Sequence, residues 1–331
     1  MPRIPDAIVG HTEQIDALQS DIASDNVSHA YLFHGPAHLG KMTVAMWFSR
    51  ELLRRGVSED TIETTDHQIE RLTHPDLFVL DQLWMEETCE DWNVIARTSN
   101  VPQVHREKAG AKTDTISIDD IRALHDRLHE KSLSRYRCCV IRSVDRMQDN
   151  ASNVLLKILE EPPAGLVFIL TADSSASLLP TIVSRARVMP FQRVADRALL
   201  PLLSDAADDD QQFILALAQG APGIVYTLKD DPDALRAHRL QQSAASAYWR
   251  SVSLAERLQY LEPLLKRGKD ADAFLLHLAL TLRQQSRRDP CASRALTELL
   301  RGFETNAHRQ ILTQRFAMQS LADEWRTSNS R

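Results

Sequence analysis

The sequence predicts an α/β protein in which a parallel sheet is followed by a wholly helical remainder. Three observations carry this expectation. Four continuous apolar runs have strand length, at 30–33 (AYLF), 77–80 (LFVL), 138–141 (CCVI) and 166–170 (LVFIL), as strands buried on both faces do. Helical periodicities alternate with these runs, the pattern of a sheet covered by helices. Beyond residue 193 strand-like runs cease and amphipathic patterns take over.

Taken in order, Ile15, Leu18 and Ile22 recur at helical spacing ahead of the first run. That run leads into 35–43 (GPAHLGKMT), and a helical pattern continues from Val44. Between Trp84 and Thr115 the chain is polar, mixed in charge and interrupted by Pro102 and Gly110, so a surface insertion is expected. Val154, Leu155, Ile158 and Leu159 form one helical stripe. Asp149 or Asn150 is placed to cap that helix, and Pro162 and Pro163 end it. A short helix is expected from Pro180 to Ala186, then an extended segment at 187–191 (RVMPF). Residues 196–228 read as two short helices around the acidic run 208–210, followed by a turn at 220–223 (GAPG). A polar join at 229–233 (KDDPD) marks a boundary, and 234–327 reads as helical, with Phe274, Leu275 and Leu278, then Leu312 and Phe316, on amphipathic stretches. The expected domains are residues 1–193, with the insertion at about 84–115, then 194–232 and 233–331.

Bulk composition narrows the classes. No apolar run approaches the roughly 20 residues of a membrane helix. The N-terminal residues lack the apolar core of a signal peptide, so a cytoplasmic location and no membrane partner are expected. A net charge of −6 argues against wholesale adhesion to nucleic acid and leaves room for a local basic patch. Cys89, Cys138, Cys139 and Cys291 show neither a C-x-x-C pair nor zinc-ligand spacing. Cys138 and Cys139, adjacent in a strand, are expected as buried thiols on opposite faces.

The chemistry concentrates at GPAHLGKMT. Gly35, Gly40 and Lys41 fit the phosphate-binding pattern G-x-x-x-x-G-K-[ST], in which backbone N–H groups cradle phosphates and the final hydroxyl holds Mg²⁺. Met42 stands where that hydroxyl belongs. Thr43, one residue on, is turned by about 100° around the helix, away from the metal position. Hydrolysis also needs a carboxylate at a neighbouring strand end. After the run 138–141 come Arg142 and Ser143, and Asp145 would serve only in a shifted register. Both halves of the magnesium site are missing. ATP or ADP binding without hydrolysis is compatible with this loop; no cofactor is required and no metal is expected.

Taken together, GPAHLGKMT, the segment 153–163 (NVLLKILEEPP) and the segment 181–191 (TIVSRARVMPF) resemble bacterial DNA polymerase III clamp loaders, which are AAA+ proteins. Residues 8–11 (IVGH) resemble the family's adenine-side segment, and 118–122 (IDDIR) the start of its pre-strand helix. The resemblance covers roughly residues 5–228 and, more weakly, the helical tail. It implies an AAA+ P-loop domain with a parallel sheet, a small helical lid and an all-helical C-terminal collar domain. It also implies a hetero-oligomeric ring with motor subunits and a delta subunit, acting on a sliding clamp and primer–template DNA. The losses at Met42 and Arg142 resemble the family's non-hydrolysing delta-prime branch, as does the 220–223 turn, which puts Gly223 where motor subunits carry a nucleotide-sensing arginine. Thr171 matches the sensor-1 region and is expected to be structural.

By the same resemblance, Arg185 is the finger that reaches a neighbour's ATP site. A guanidinium suits that role because its planar donors match phosphate oxygens and offset charge in the transition state. The plain alternative is a salt-bridging surface arginine. Ser184 is expected to cap or brace the turn, and Ala186, in place of the family's cysteine, to change packing alone. The family's four-cysteine zinc module is absent from 52–76, so no zinc is expected. Two other readings stand beside this one. The first is an active motor subunit, with Thr43 and Asp145 restoring the metal site. The second is another P-loop enzyme such as a small-molecule kinase, which lacks an acceptor-activating carboxylate and leaves the helical tail unexplained.

Overall fold

The computed structural model describes residues 5, 7–80, 99–101, 115–128, 132–251, 256, 259–260 and 269–286. Most of the 84–115 insertion, Cys89, Cys291, Leu312 and Phe316 lie outside the described residues. The described chain divides into two compact units, Met1–Pro201 with Gln219–Gly223, and Leu202–Ala218 with Ile224–Arg331. The polar join at 229–233 falls inside the second unit.

The first unit is built on five parallel strands, β1 (Ala30–His34), β2 (Leu77–Leu80), β3 (Arg137–Ile141), β4 (Leu166–Ala172) and β5 (Arg187–Pro190), in the order β2-β3-β4-β1-β5. Each predicted apolar run is a strand. Every residue of β2, β3 and β4 is buried, because helices cover both faces and leave no solvated side for alternation to serve. Cys138 and Cys139 are fully buried free thiols, and burial pushes the Cys138 thiol up to about 12.

The helices of this unit are α1 (Thr12–Ala23), α2 (Lys41–Leu53), α3 (Glu59–Glu70), α4 (Ile118–Leu128), α5 (Asp149–Glu160), α6 (Pro180–Val183) and α7 (Asp196–Leu199). Ile15, Leu18 and Ile22 are the buried stripe of α1, as their spacing predicts. Helix α4 opens on a capping arrangement in which Asp120 Oδ2 accepts from the Ser117 amide and hydroxyl, both at 2.8 Å. The cap of α5 differs from expectation. Gln148 is its N-cap and makes no side-chain cap bond, while Asp149 lies in the first turn, where a carboxylate meets the positive end of the helix dipole. Helix α6 stops at Val183, three residues short of its predicted end.

The described part of the insertion returns to the outer strand. Asn100 donates its amide to Val79 O at 3.1 Å and accepts from Val79 N at 2.8 Å through Oδ1. Its Nδ2 donates to Leu72 O and Leu77 O. Behind β2 and β3, the wholly buried Asp76 accepts from Leu133 N (2.9 Å), Ser134 N (2.6 Å) and Arg137 Nε (3.3 Å).

The second unit contains α8 (Asp208–Ala218), most of α9 (Pro222–Asp230), α10 (Pro232–Arg250) and α11 (Lys269–Ser286). The acidic run 208–210 does not separate two helices; it forms the first turn of α8, again matching the dipole. The 220–223 segment is not wholly a turn either, since Pro222 and Gly223 begin α9. Proline at that position sacrifices an amide no helix would pair. Asp231 caps α10, its carboxylate accepting from Asp233 N (3.0 Å) and Ala234 N (2.9 Å). Helices α10 and α11 are joined by Trp249 Nε1 donating to Leu278 O and by a 3.0 Å contact between His238 Nδ1 and His277 Nε2.

Candidate functional site: a closed phosphate loop and an exposed arginine

The loop 35–40 leaves β1 and enters α2, at the carboxyl ends of the strands where α/β sheets place their ligands. Gly35 has φ +148°, and a Cβ there would lie 2.1 Å from Phe191 O, so only glycine lets the loop pass the end of β5. Gly40, at φ +88°, is the left-handed N-cap of α2.

Its lysine is turned inward. Lys41 Nζ donates to Gly35 O, to Pro36 O at 2.8 Å and to Asp173 Oδ1 at 3.1 Å. An ammonium has three hydrogens, and the protein engages three acceptors. Burial lowers the Lys41 pKa, and the hydrogen bond to Asp173 opposes that shift. A phosphate would have to displace one of these partners. Met42 is half-buried and offers no oxygen, and Thr43 is exposed on the next face of α2.

Two further bonds close the loop from outside. The Gly223 amide donates to His38 O at 2.9 Å. A Cβ on Gly223 would lie 2.9 Å from that oxygen and 3.1 Å from His38 Cβ, so a longer side chain does not fit while the bond stands. On the other side His11 Nε2 lies 2.9 Å from Leu39 O. A carbonyl can only accept, so that nitrogen carries the hydrogen. The His11 ring packs against Phe191 with centroids 4.6 Å apart, and burial lowers its pKa, favouring the neutral ring.

At the end of β3, Arg142 and Ser143 stand where the hydrolytic pattern read from the sequence needs carboxylates. Ser143 takes a left-handed conformation, φ 53°, and its amide donates to Thr171 Oγ1 at 3.0 Å. Thr171 is thus a structural acceptor. The turn carries Asp145 to β4, where its Oδ1 accepts from Asp173 N at 3.3 Å. In the sequence Asp145 lies out of register, and no motif marks Asp173. Ser143, left-handed after β3, precedes the turn in which Asp145 reaches the Asp173 amide, and a non-glycine residue in that conformation has no reliable sequence signal. Among the described residues no group of three or more His, Cys, Asp or Glu side chains is placed to hold a metal ion.

Arg185 lies apart from the loop, between α6 and β5. Its Nη2 donates to Glu160 Oε1 at 2.9 Å and its Nη1 to Thr181 O at 3.1 Å. Its side chain is 34% exposed, so the guanidinium is within reach of another molecule. Ser184 is the C-cap of α6, and its hydroxyl donates to Thr181 O at 3.1 Å. Ala186 packs against the apolar core of the sheet.

Gly35 and Gly40 thus shape a loop between β1 and α2 that leads into an inward-turned Lys41, with Met42 beside it offering no oxygen. Comparison with known proteins supplies the family. The profile described as DNA polymerase III, delta subunit, matches residues 10–195, more than half of the chain, and the chain belongs to that family. The delta-prime subunit of DNA polymerase III from Bacillus subtilis (strain 168) is 28% identical over 187 residues, 55% of this chain and 47% of the relative. The delta-prime subunit of Pseudomonas aeruginosa is 29% identical over 203 residues, covering 59% and 54%. The tau subunit of Bacillus subtilis (strain 168) is 24% identical over 303 residues, covering 88% of this chain and 45% of the relative. The chain spans about half the length of these curated relatives. A solved gamma subunit-related protein from Thermotoga maritima shares the fold, with a TM-score of 0.54 at 17% identity, covering 95% of this chain and 99% of that one. The relatives it matches are named delta-prime and gamma/tau subunits of DNA polymerase III. No described helix is long and apolar enough to cross a membrane.

Proposed function

We propose that this chain is the non-hydrolysing, delta-prime-type subunit of a DNA polymerase III clamp loader. It helps load a sliding clamp onto primer–template DNA during replication and offers Arg185 in trans to the ATP site of a neighbouring motor subunit. It works within a hetero-oligomeric ring with motor and delta subunits; the first unit supplies the AAA+ domain, and the C-terminal helices supply the lid and collar. The observation that carries this reading is the state of the P-loop. Lys41 is spent on Gly35 O, Pro36 O and Asp173, and Gly223 is bonded to the loop at His38. Met42 and Arg142 fill the positions of the two metal ligands. ATP or ADP held without hydrolysis is consistent with this loop; zinc and other metals have no role in the reading. Ser184 supports Arg185 through the shared Thr181 carbonyl.

The test is ATP turnover. The isolated chain should show none above background, and a complex reconstituted with motor subunits should show DNA- and clamp-stimulated turnover that Arg185→Ala lowers about 10³-fold or more. Unchanged turnover in that complex would remove Arg185 from the mechanism. One observation favours a second reading, an active motor: Asp145 accepts from the backbone amide of Asp173, whose own carboxylate accepts from Lys41. Turnover by the isolated chain that disappears in Lys41→Ala would establish that alternative.

A further inference from the structure

The guanidinium of Arg185 is bracketed by two acceptors from different elements. Glu160 is the last residue of α5, and Thr181 is the second residue of α6. The Thr181 carbonyl accepts from both Arg185 Nη1 and Ser184 Oγ, each at 3.1 Å. An arginine carries five N–H hydrogens, and this bracket engages one on each Nη. The Nε hydrogen and the second hydrogen on each Nη have no acceptor among the described residues. Holding the side chain and meeting an outside phosphate therefore draw on different hydrogens.

Glu160 is poorly placed for its own helix. It sits in the last turn of α5, where the macrodipole disfavours a negative charge. Glu161, the C-cap, separates it from Pro162 and Pro163, which fix the helix end at that point. The pair is also too solvent-exposed, at 34% and 51% of the two side chains, to contribute much to stability. A carboxylate that opposes its helix and adds little to folding is accounted for by what it does to the guanidinium. Two anchors on separate backbones set both the position and the plane of a rigid fork.

We propose that Glu160 is a positioning residue for Arg185, holding the guanidinium plane so that its remaining N–H groups face the phosphates of a nucleoside triphosphate on the neighbouring subunit. This rests on the trans-acting role of Arg185 proposed above. Glu160 itself touches no phosphate; it limits the side-chain freedom that the neighbour's site would otherwise have to remove on each turnover.

The experiment uses the complete chain reconstituted with gamma/tau-type ATPase subunits, primed DNA and sliding clamp. It measures kcat and KM for ATP with wild type, Arg185→Ala, Glu160→Ala, Glu160→Gln and the Glu160→Ala/Arg185→Ala pair, and the melting temperature of each chain alone. Glu160→Ala should lower kcat about tenfold, less than Arg185→Ala, with KM unchanged, as expected for misplacing a group that acts in the transition state. Glu160→Gln should recover most of the loss, because the amide oxygen still accepts from Nη2. The double variant should be no worse than Arg185→Ala alone. A role confined to the helix end would instead move the melting temperature and leave kcat in place. Normal or raised kcat in Glu160→Ala, with Arg185→Ala still defective, overturns the positioning role and leaves the finger standing. Equal losses in Glu160→Ala and Glu160→Gln overturn the hydrogen-bonded bracket. Normal turnover in Arg185→Ala overturns both the finger and its brace.

Discussion

The amide of Gly223 and the carbonyl of His38 are hydrogen-bonded at 2.9 Å, which binds the start of α9 to the phosphate loop. The missing side chain is what permits the approach, since a Cβ would sit 2.9 Å from the same oxygen. Gly223→Ala should therefore destabilise by about 1–3 kcal/mol, the usual cost of overpacking a close contact. Gly223→Arg should break the bond outright, and amide exchange in 35–40 should quicken. Calorimetry and hydrogen exchange check both outcomes; unaltered exchange in the arginine variant would show that the loop does not depend on this contact.

Lys41 should matter to folding before it matters to nucleotide. It is 9% exposed and holds the Gly35 and Pro36 carbonyls. Lys41→Met removes those bonds while keeping most of the stem, and should cost about 1–3 kcal/mol in urea unfolding. An unchanged midpoint would indicate that the inward bonds add nothing.

Arginine geometry at position 185 should not be replaceable by charge alone. Arg185→Lys keeps one positive charge and loses the fork that spans Glu160 and Thr181. In the reconstituted complex it should behave nearly as poorly as Arg185→Ala. Recovery of wild-type turnover by lysine would mean that a point charge suffices.

Acid should weaken the packing of α10 and α11. His277 is fully buried and its pKa is lowered to about 4, first by burial and then by the neighbouring His238. His238 is lowered by burial too. The other groups around the pair are Phe213, stacked on His277, and Arg239, which lies over Phe213 and pairs with Asp209 and Asp210. A histidine held neutral by folding takes up its proton more readily when unfolded. Its contribution is complete above the ordinary value of 6.5 and declines as pH falls from there towards about 4. Urea midpoints should follow that course, and His277→Leu should flatten it. A slope that persists in the variant would assign the effect elsewhere.

Asp76 should be among the least replaceable side chains. Its removal takes one carboxylate from the Arg137 guanidinium, 6% exposed, and the acceptor from the Leu133 and Ser134 amides, at about 1–3 kcal/mol for each buried group left unsatisfied. Burial pushes the Asp76 carboxyl up, but hydrogen bonds from Ser134, Leu133 and Ser132 bring it net below the usual 3.8. Its contribution is therefore present above that pH and fades as pH falls further. Asp76→Ala measured by urea unfolding at pH 7 gives the size of the effect, and a loss under about 1 kcal/mol would contradict it.

The sheet was legible because a strand buried on both faces must be apolar at every position, as LFVL and LVFIL are. Helix α3 left no comparable trace. Its sequence, EDTIETTDHQIE, buries only Thr65 and Ile69, too few to mark a period. It is held instead by Arg54, which donates to both Asp66 oxygens. The start of α9 was hidden for a different reason, since Gly-Ala-Pro-Gly has the residues of a turn and only the packing on His38 selects the helix. At the site, Gly35, Gly40 and Lys41 were readable from spacing alone. Asp173, the bond of Gly223 to His38 and the inward course of Lys41 were not, because each depends on contacts between segments distant along the chain.

Asn100 satisfies both backbone groups of Val79, and this has a bearing on how copies of the protein avoid one another. An outer strand with open amides and carbonyls is a template for another extended chain. At the centre of β2 that template is already filled by a single side chain and its own backbone. The backbone groups of Val79 and the carbonyl of Leu77 are thereby closed to strand addition, by one asparagine.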